Sequence, residues 1–213
     1  MNLWNFLVQN RLDIADLTLE HLWMVGLSTL IAIAIGIPLG VLIARKPLLR
    51  NPVIAAANII QTIPSLALFG FLLPAPWIGE RAGRLAVLAL TLYALLPLIR
   101  NTYTGITGVD RAIIEAARGM GLTDWQLLFK VELPLASSVI LAGIRVAVVI
   151  SVGLATIAAA IGAGGLGELI FRGLAMVNNA VILAGAIPAA LMALLADVLL
   201  GRLEKRLAPA KGF

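Results

Sequence analysis

Residues 22–44 form a run of 23 without a single charge, and at about 1.5 Å of rise per residue a helix of that length crosses the ~30 Å hydrocarbon core of a bilayer. Composition extends the point to the whole chain. Of its 213 residues 61% are hydrophobic and 13% charged, with a mean hydropathy of +1.03, against roughly 45–50% apolar and ~25% charged in soluble domains. An integral, all-α membrane protein is expected.

Four further runs are read as spans. Residues 51–79 lack charge but are interrupted by Pro52, Pro64, Pro74 and Pro76, which gives one span over about 53–73, irregular near Pro64. Residues 85–99 are short for a span; Arg84 and Arg100 at the ends can snorkel, and 101–109 can extend it. Residues 135–163, with the lone Arg145, and residues 174–196 complete five. Residues 1–21 carry Arg11, Asp13, Asp16, Glu20 and His21, so no cleavable signal peptide is expected there. The chain is treated as one domain over 20–205, preceded by an N-terminal segment 1–19 and followed by a basic, frayed tail 206–213.

Five spans put the termini on opposite sides, and positive charge chooses between them. With the N-terminus outside, 11 lysines and arginines fall on cytoplasmic segments and 4 outside, leaving Arg145 in or at the edge of the membrane. The +5 net charge is thus read as topology, not as affinity for nucleic acid.

One polar stretch, residues 110–134 (DRAIIEAARGMGLTDWQLLFKVELP), then lies on the cytoplasmic side. It reads as a helical hairpin. Ile113, Ile114, Ala117 and Met120 recur at helical spacing opposite Arg111, Glu115 and Arg118. Gly121 stands where a left-handed stop is wanted, Thr123 and Gln126 form a capping box, Leu122 and Leu127 a hydrophobic staple, and Pro134 is taken to end the second helix.

Within that stretch Glu115-Ala116-Ala117, Gly121, Val131, Leu133 and Pro134 match six of seven positions of the EAA-x3-G-x9-I-x-LP loop, with Val131 in the usual Ile place. The chain therefore resembles the permease subunits of bacterial ATP-binding-cassette (ABC) importers. Residues 61–74 (QTIPSLALFGFLLP) and 153–167 (GLATIAAAIGAGGLG) resemble the branch that imports glycine betaine, choline, carnitine and related osmoprotectants. The resemblance implies a type I importer permease fold in the bacterial inner membrane. The hairpin would be a coupling helix through Glu115, Ala116, Ala117, Gly121, Leu133 and Pro134. It further implies two ATPase subunits that hold ATP and Mg, a second permease, identical or homologous, and an extracytoplasmic solute-binding protein. Affinity for a quaternary ammonium would reside in that binding protein, through an aromatic cage; this chain would bind no cofactor.

For the path itself the polar candidates are Asn58, Gln61, Thr62 and Ser65, at helical spacing on the second span beside a bend at Pro64, with Ser151 and Thr156 on the fourth. Helix-to-helix hydrogen bonding is the equal alternative. Arg145 is expected at the inner interface, and Asp197 and His21 are expected to be structural. Other readings are weaker on the residues. The hairpin as a DNA-binding helix-turn-helix offers Lys130 against Asp124 and Glu132, little for phosphate. Gly162, Gly164 and Gly167 match G-x-G-x-x-G but end a membrane helix, which suits a tight outer turn rather than a dinucleotide. One histidine and no cysteine leave no metal cluster or nucleophile with its base. A permease for another small solute such as an amino acid, or an ion-coupled transporter or channel subunit, stays open at this point.

Overall fold

The computed structural model describes residues 3–74 and 81–207, all in helices and short turns. Helix α1 (Leu3–Gln9) is followed by α2 (Arg11–Arg45), α3 (Pro47–Thr62), α4 (Ser65–Leu72), α5 (Ala82–Thr107), α6 (Arg111–Gly119), α7 (Asp124–Leu127), α8 (Leu133–Ala158), α9 (Gly167–Ala175) and α10 (Asn179–Leu207). Four of these are long and apolar enough to cross a membrane, and α3 with α4 makes a fifth if the bent pair is one span.

Helix α5, the shortest span by charge-free length, is the most buried of them. The extension beyond Ile99 is present, giving 26 residues. It lies between α2 and α8, and both approach it through glycine. A methyl on Gly40 would meet the Thr102 side chain at 2.5 Å, one on Gly36 the Leu98 side chain at 2.8 Å, and one on Gly143 that of Asn101 at 2.7 Å. In lipid, where there is no hydrophobic drive between helices, such small-residue contacts bring enough surface together to hold them.

The irregularity expected at Pro64 in the second span is a sharp break. Its two halves meet at 98°. Pro64 disfavours helical geometry for the residue before it, and Ile63 is extended at φ −70°, ψ 126°. Asn58, Gln61 and Thr62 therefore share α3, while Ser65 begins α4 in another direction; the four do not form one stripe. Pro76 lies outside the described residues, as does the tail from 208 onward.

Helix α2 starts at Arg11, well before the charge-free run. Its first turns are covered by α1, whose Phe6 is buried with Leu169, Val181 and Ala184 while Ile14 and Leu17 pack alongside. At the other end of the chain the fifth span begins at Asn179, not 174. Leu174 belongs to α9, and Val177 takes a left-handed φ of 50°. Asn178 then accepts from the Ala180 N–H at 3.1 Å and caps α10.

The glycine run after α8 is a turn, with Gly162, Gly164 and Gly165 all at positive φ. No strand precedes it among the described residues, so the dinucleotide pattern is without its structural context. Glu20 pins this turn by accepting from the Gly165 N–H at 3.0 Å. His21, wholly buried, lies with Nε2 3.1 Å from the Val152 carbonyl. A carbonyl can only accept, so Nε2 carries the proton. Helix α9 then packs so closely that a methyl on Gly167 would fall 2.0 Å from the Thr156 carbonyl oxygen.

Candidate functional site

The hairpin is built from local signals that each close in the structure. Asp110 caps α6 by accepting from the Ala112 N–H at 2.9 Å. At the other end Gly121 adopts φ +82°. The Gly121 and Leu122 N–H groups return to the Arg118 and Ala117 carbonyls at 2.9 and 3.2 Å, the paired bonds of a Schellman stop. Thr123 and Gln126 form the capping box, with Thr123 N–H donating to Gln126 Oε1 at 3.0 Å. Both short helices are fixed at the ends where they meet, so the hairpin is a stiff unit.

Its far side departs from expectation. Pro134 does not end the second helix. The chain passes from α7 through a π-turn (Leu128–Glu132) straight into α8, and Leu133 donates its N–H to the Leu128 carbonyl, five residues back. Pro134 follows the π-turn directly, at the point where its i→i−5 bonds give way to the α-helix of α8. A hairpin continuous with a membrane helix moves that helix with it.

The candidate coupling residues divide by exposure. Glu115 and Ala116 are exposed, whereas Ala117 is buried within this chain. Leu133 packs partly into a cluster of Ile106, Leu128, Ala136 and Ile140 with Ile37, Val41 and Ala44 of α2, and Pro134 is exposed. Of the expected apolar stripe on α6, Ile113 and Met120 stand open at 44% and 74%. On the second helix Trp125 and Phe129 are also exposed and stack on each other at 5.6 Å. They border a cleft of about 950 Å³ between α2 and the hairpin, which Pro38, Val41, Arg118 and Leu133 also line.

Beneath the hairpin lies a feature not anticipated from the sequence. Glu132, 2% exposed, forms an ion pair and hydrogen bond with Arg45, the last residue of α2. An uncompensated buried carboxylate costs several kcal/mol even after relaxation, on the order of 3–5 when its partner is removed. Arg45 and Glu132 are legible only as charges bordering apolar runs, and nothing in their 87-residue separation indicates that they meet.

Two of the candidate path residues tie helices together. Asn58 Oδ1 accepts from Arg100 at 3.1 Å. Gln61 Nε2 donates to the Tyr93 carbonyl at 2.9 Å, while the Tyr93 hydroxyl donates back to the Ile63 carbonyl at the bend. Tyr93, noted in the sequence only as one of few aromatics, thus secures the break at Pro64. Thr62 is exposed and turns onto its own helix at Ile59; Ser65 is half-buried. Ser151 is fully buried with its hydroxyl unpartnered, and Thr156 donates to Gly153 at 2.7 Å. These six residues are spread over α3, α4 and α8.

Arg145 is clamped between two carboxylates of α10, Asp197 at 3.2 Å and Glu204 at 3.1 Å. The expected structural role of Asp197 fits this contact. Among the described residues no three His, Cys, Asp or Glu side chains gather as a metal site would require.

Residues 36–209 match the family described as the binding-protein-dependent transport system inner membrane component. The chain belongs to this family. It is 53% identical over 193 residues to the carnitine transport permease protein OpuCD of Listeria monocytogenes, covering 90% of this chain and 85% of that one. It is 50% identical over 193 residues to the glycine betaine/carnitine/choline transport system permease protein OpuCD of Bacillus subtilis (strain 168), covering 90% and 83%. Among solved structures it resembles a chain of the MetNI methionine ABC transporter in inward-facing conformations. That likeness has a TM-score of 0.81 and 26% identity, over 89% of this chain and 94% of the other. The fold is that of ABC importer permeases, and the chain is a transport subunit of the inner membrane rather than a catalyst.

Proposed function

We propose that this permease forms half of the path of an ATP-driven importer for carnitine, glycine betaine, choline or related quaternary-ammonium osmoprotectants. On this reading the 110–134 hairpin is its docking element for a separate ATPase. The observation that carries the reading is the hairpin itself. A stiff, doubly capped element joined to α5 and α8 presents Glu115, Ala116, Ile113 and Met120 outward, with nothing among the described residues to cover them. Rigid coupling of this kind transmits a rotation instead of absorbing it. The substrate class rests on the names of the relatives; the few aromatic side chains in the spans favour cation–π capture of the ammonium by the binding protein instead of this chain.

In the mechanism this implies, the N-terminus lies outside and the C-terminus in the cytoplasm, and two permeases meet two ATPases. Substrate-loaded binding protein docks outside. ATP, with Mg, closes the ATPases, their grooves draw the hairpins together, and the shared path opens outward to receive solute; hydrolysis returns it inward. Glu115→Arg tests the docking role, since it reverses charge on an exposed helix without disturbing either cap. Uptake of labelled carnitine, glycine betaine and choline into vesicles should be lost, or the ATPase released on purification. Unchanged uptake and assembly would refute the docking role, and absence of ATP-dependent uptake of all three by the wild type would refute the substrate class.

A further inference from the structure

The backbone joins the hairpin to α5 and α8 only. Helices α2 and α3 are remote from it in sequence, yet α3 leads to the bend at Pro64. Two kinds of contact reach across. The first is the apolar cluster of Ile37, Val41 and Ala44 against Ile106, Leu128, Ala136 and Ile140. Such packing is non-directional, and a sliding helix retains most of its burial. The second is the Arg45–Glu132 pair, which is directional. A carboxylate at 2% exposure must keep its cation or be stranded in a medium that solvates it poorly.

Where Arg45 stands gives the pair its reach. It closes α2, the Lys46 N–H returns to the Leu42 carbonyl at 2.8 Å, and Pro47 starts α3 at once. A corner of one residue cannot absorb a displacement, so whatever moves Arg45 moves both helices. At the far end of α3, Gln61 and Tyr93 tie the bend to α5. On the hairpin side Glu132 is carried by the π-turn, a conformation that recurs at functional positions.

We infer that the Arg45–Glu132 pair is a positioning link: it carries displacement of the hairpin into the α2–α3 corner, and so into the bent second span. The inference rests on the hairpin's docking role proposed above. Arg45 and Glu132 act through the helices they tie together and touch no solute.

The test uses the permease with its ATPase and binding protein in liposomes, read as co-purified ATPase, basal ATP hydrolysis, and stimulation of hydrolysis by substrate-loaded binding protein relative to wild type. R45M/E132L replaces a partly buried ion pair by apolar groups of similar size, a change that cores tolerate. It should keep assembly and basal hydrolysis while stimulation falls at least about tenfold, within the usual range of a lost coupling. R45E/E132R, which restores an ion pair in reverse, should recover a substantial part of that loss. Wild-type stimulation in R45M/E132L would overturn the link, as would a reversed pair no better than R45M/E132L. Loss of assembly in both variants would also overturn it, assigning the pair to folding. Glu115→Arg, run in parallel, separates the two readings: if it leaves assembly and stimulation intact, the docking role fails irrespective of the pair.

Discussion

Replacing Gly167 by alanine tests how α9 is held. A methyl there would lie 2.0 Å from the Thr156 carbonyl oxygen, and 2.7 and 2.8 Å from the carbonyl carbon and Cα, where ordinary contact begins at 3.4 Å. The obstacle is backbone, so no side chain can swing aside, and the helix must retreat by about 1.4 Å if it is to fit. It has little room to do so. On its other flank a methyl on Gly173 would already meet the Ile182 nitrogen at 2.6 Å, and one on Gly185 of α10 would meet the Leu166 carbonyl at 2.6 Å. Helix α9 is thus wedged between α8 and α10 by glycine contacts on both sides. Gly167 is not among the positive-φ residues, so no left-handed backbone strain adds to the steric overlap. Overpacking against a rigid neighbour costs about 3 kcal/mol, the upper end of the common range. At roughly 2–4 °C per kcal/mol for a chain of this size, the midpoint should fall by about 6–12 °C. The assay is thermal denaturation of the detergent-purified permease followed by size exclusion. Gly83→Ala is the control: in the first turn of α5, with nothing within 4 Å of the new methyl, it should be neutral or gain up to about 1 kcal/mol. A Gly167→Ala protein melting within about 2 °C of wild type would refute the wedge, since that shift corresponds to under about 1 kcal/mol.

Two further substitutions discriminate between holding helices and lining a path. Ser151→Ala removes a buried hydroxyl that has no partner; stability should stay level or rise by about 1 kcal/mol, with the uptake KM unchanged, whereas a raised KM would restore Ser151 to the path. Arg145→Lys leaves a single ammonium where the guanidinium reaches Asp197 and Glu204 from separate nitrogens. With the arginine 35% exposed, the loss should be about 0.5–1 kcal/mol and should shrink in high salt; a salt-independent loss would mean that the clamp is shielded from solvent.

Signals carried by neighbouring residues were legible in the sequence. Four apolar spans, with a fifth if α3 and α4 count as one, the Gly121 stop, the Thr123–Gln126 box and the glycine turn after α8 each follow from chemistry within a few residues, and each is present. Contacts between remote residues were not. Asn58, Gln61, Thr62 and Ser65 have the spacing of a stripe, but Pro64 turns the chain through 98° between the third and fourth. Pro134 has the look of a stop and instead follows a π-turn inside a continuous helix, a local change of hydrogen-bond pattern that the sequence does not announce. Arg45 with Glu132 and Arg145 with Asp197 and Glu204 are pairings set by how the helices pack, and charge counting along a chain registers only their sum. Exposure of Ile113 and Met120 was hidden for a different reason: helical spacing marks an apolar face without saying whether this chain or another covers it.

These cross-links determine where a displacement of the hairpin would go. The hairpin follows directly on α5, the most buried span, and runs without a break into α8. Its movement would therefore enter the bundle at the centre, along two helices that meet closely at Gly105 and Gly143. The outer helices lack that backbone connection, and each is joined to the same pair by charge. Arg45–Glu132 fastens α2, and Arg145 fastens α10 to α8. The two links differ in environment. One has a carboxylate at 3% side-chain exposure, the other carboxylates at 50% and 28%, so the first resists separation far more strongly than the second. Of the two charge links the one to α2 is therefore the tighter, while α10 is held in addition by the close approaches at Gly173 and Gly185.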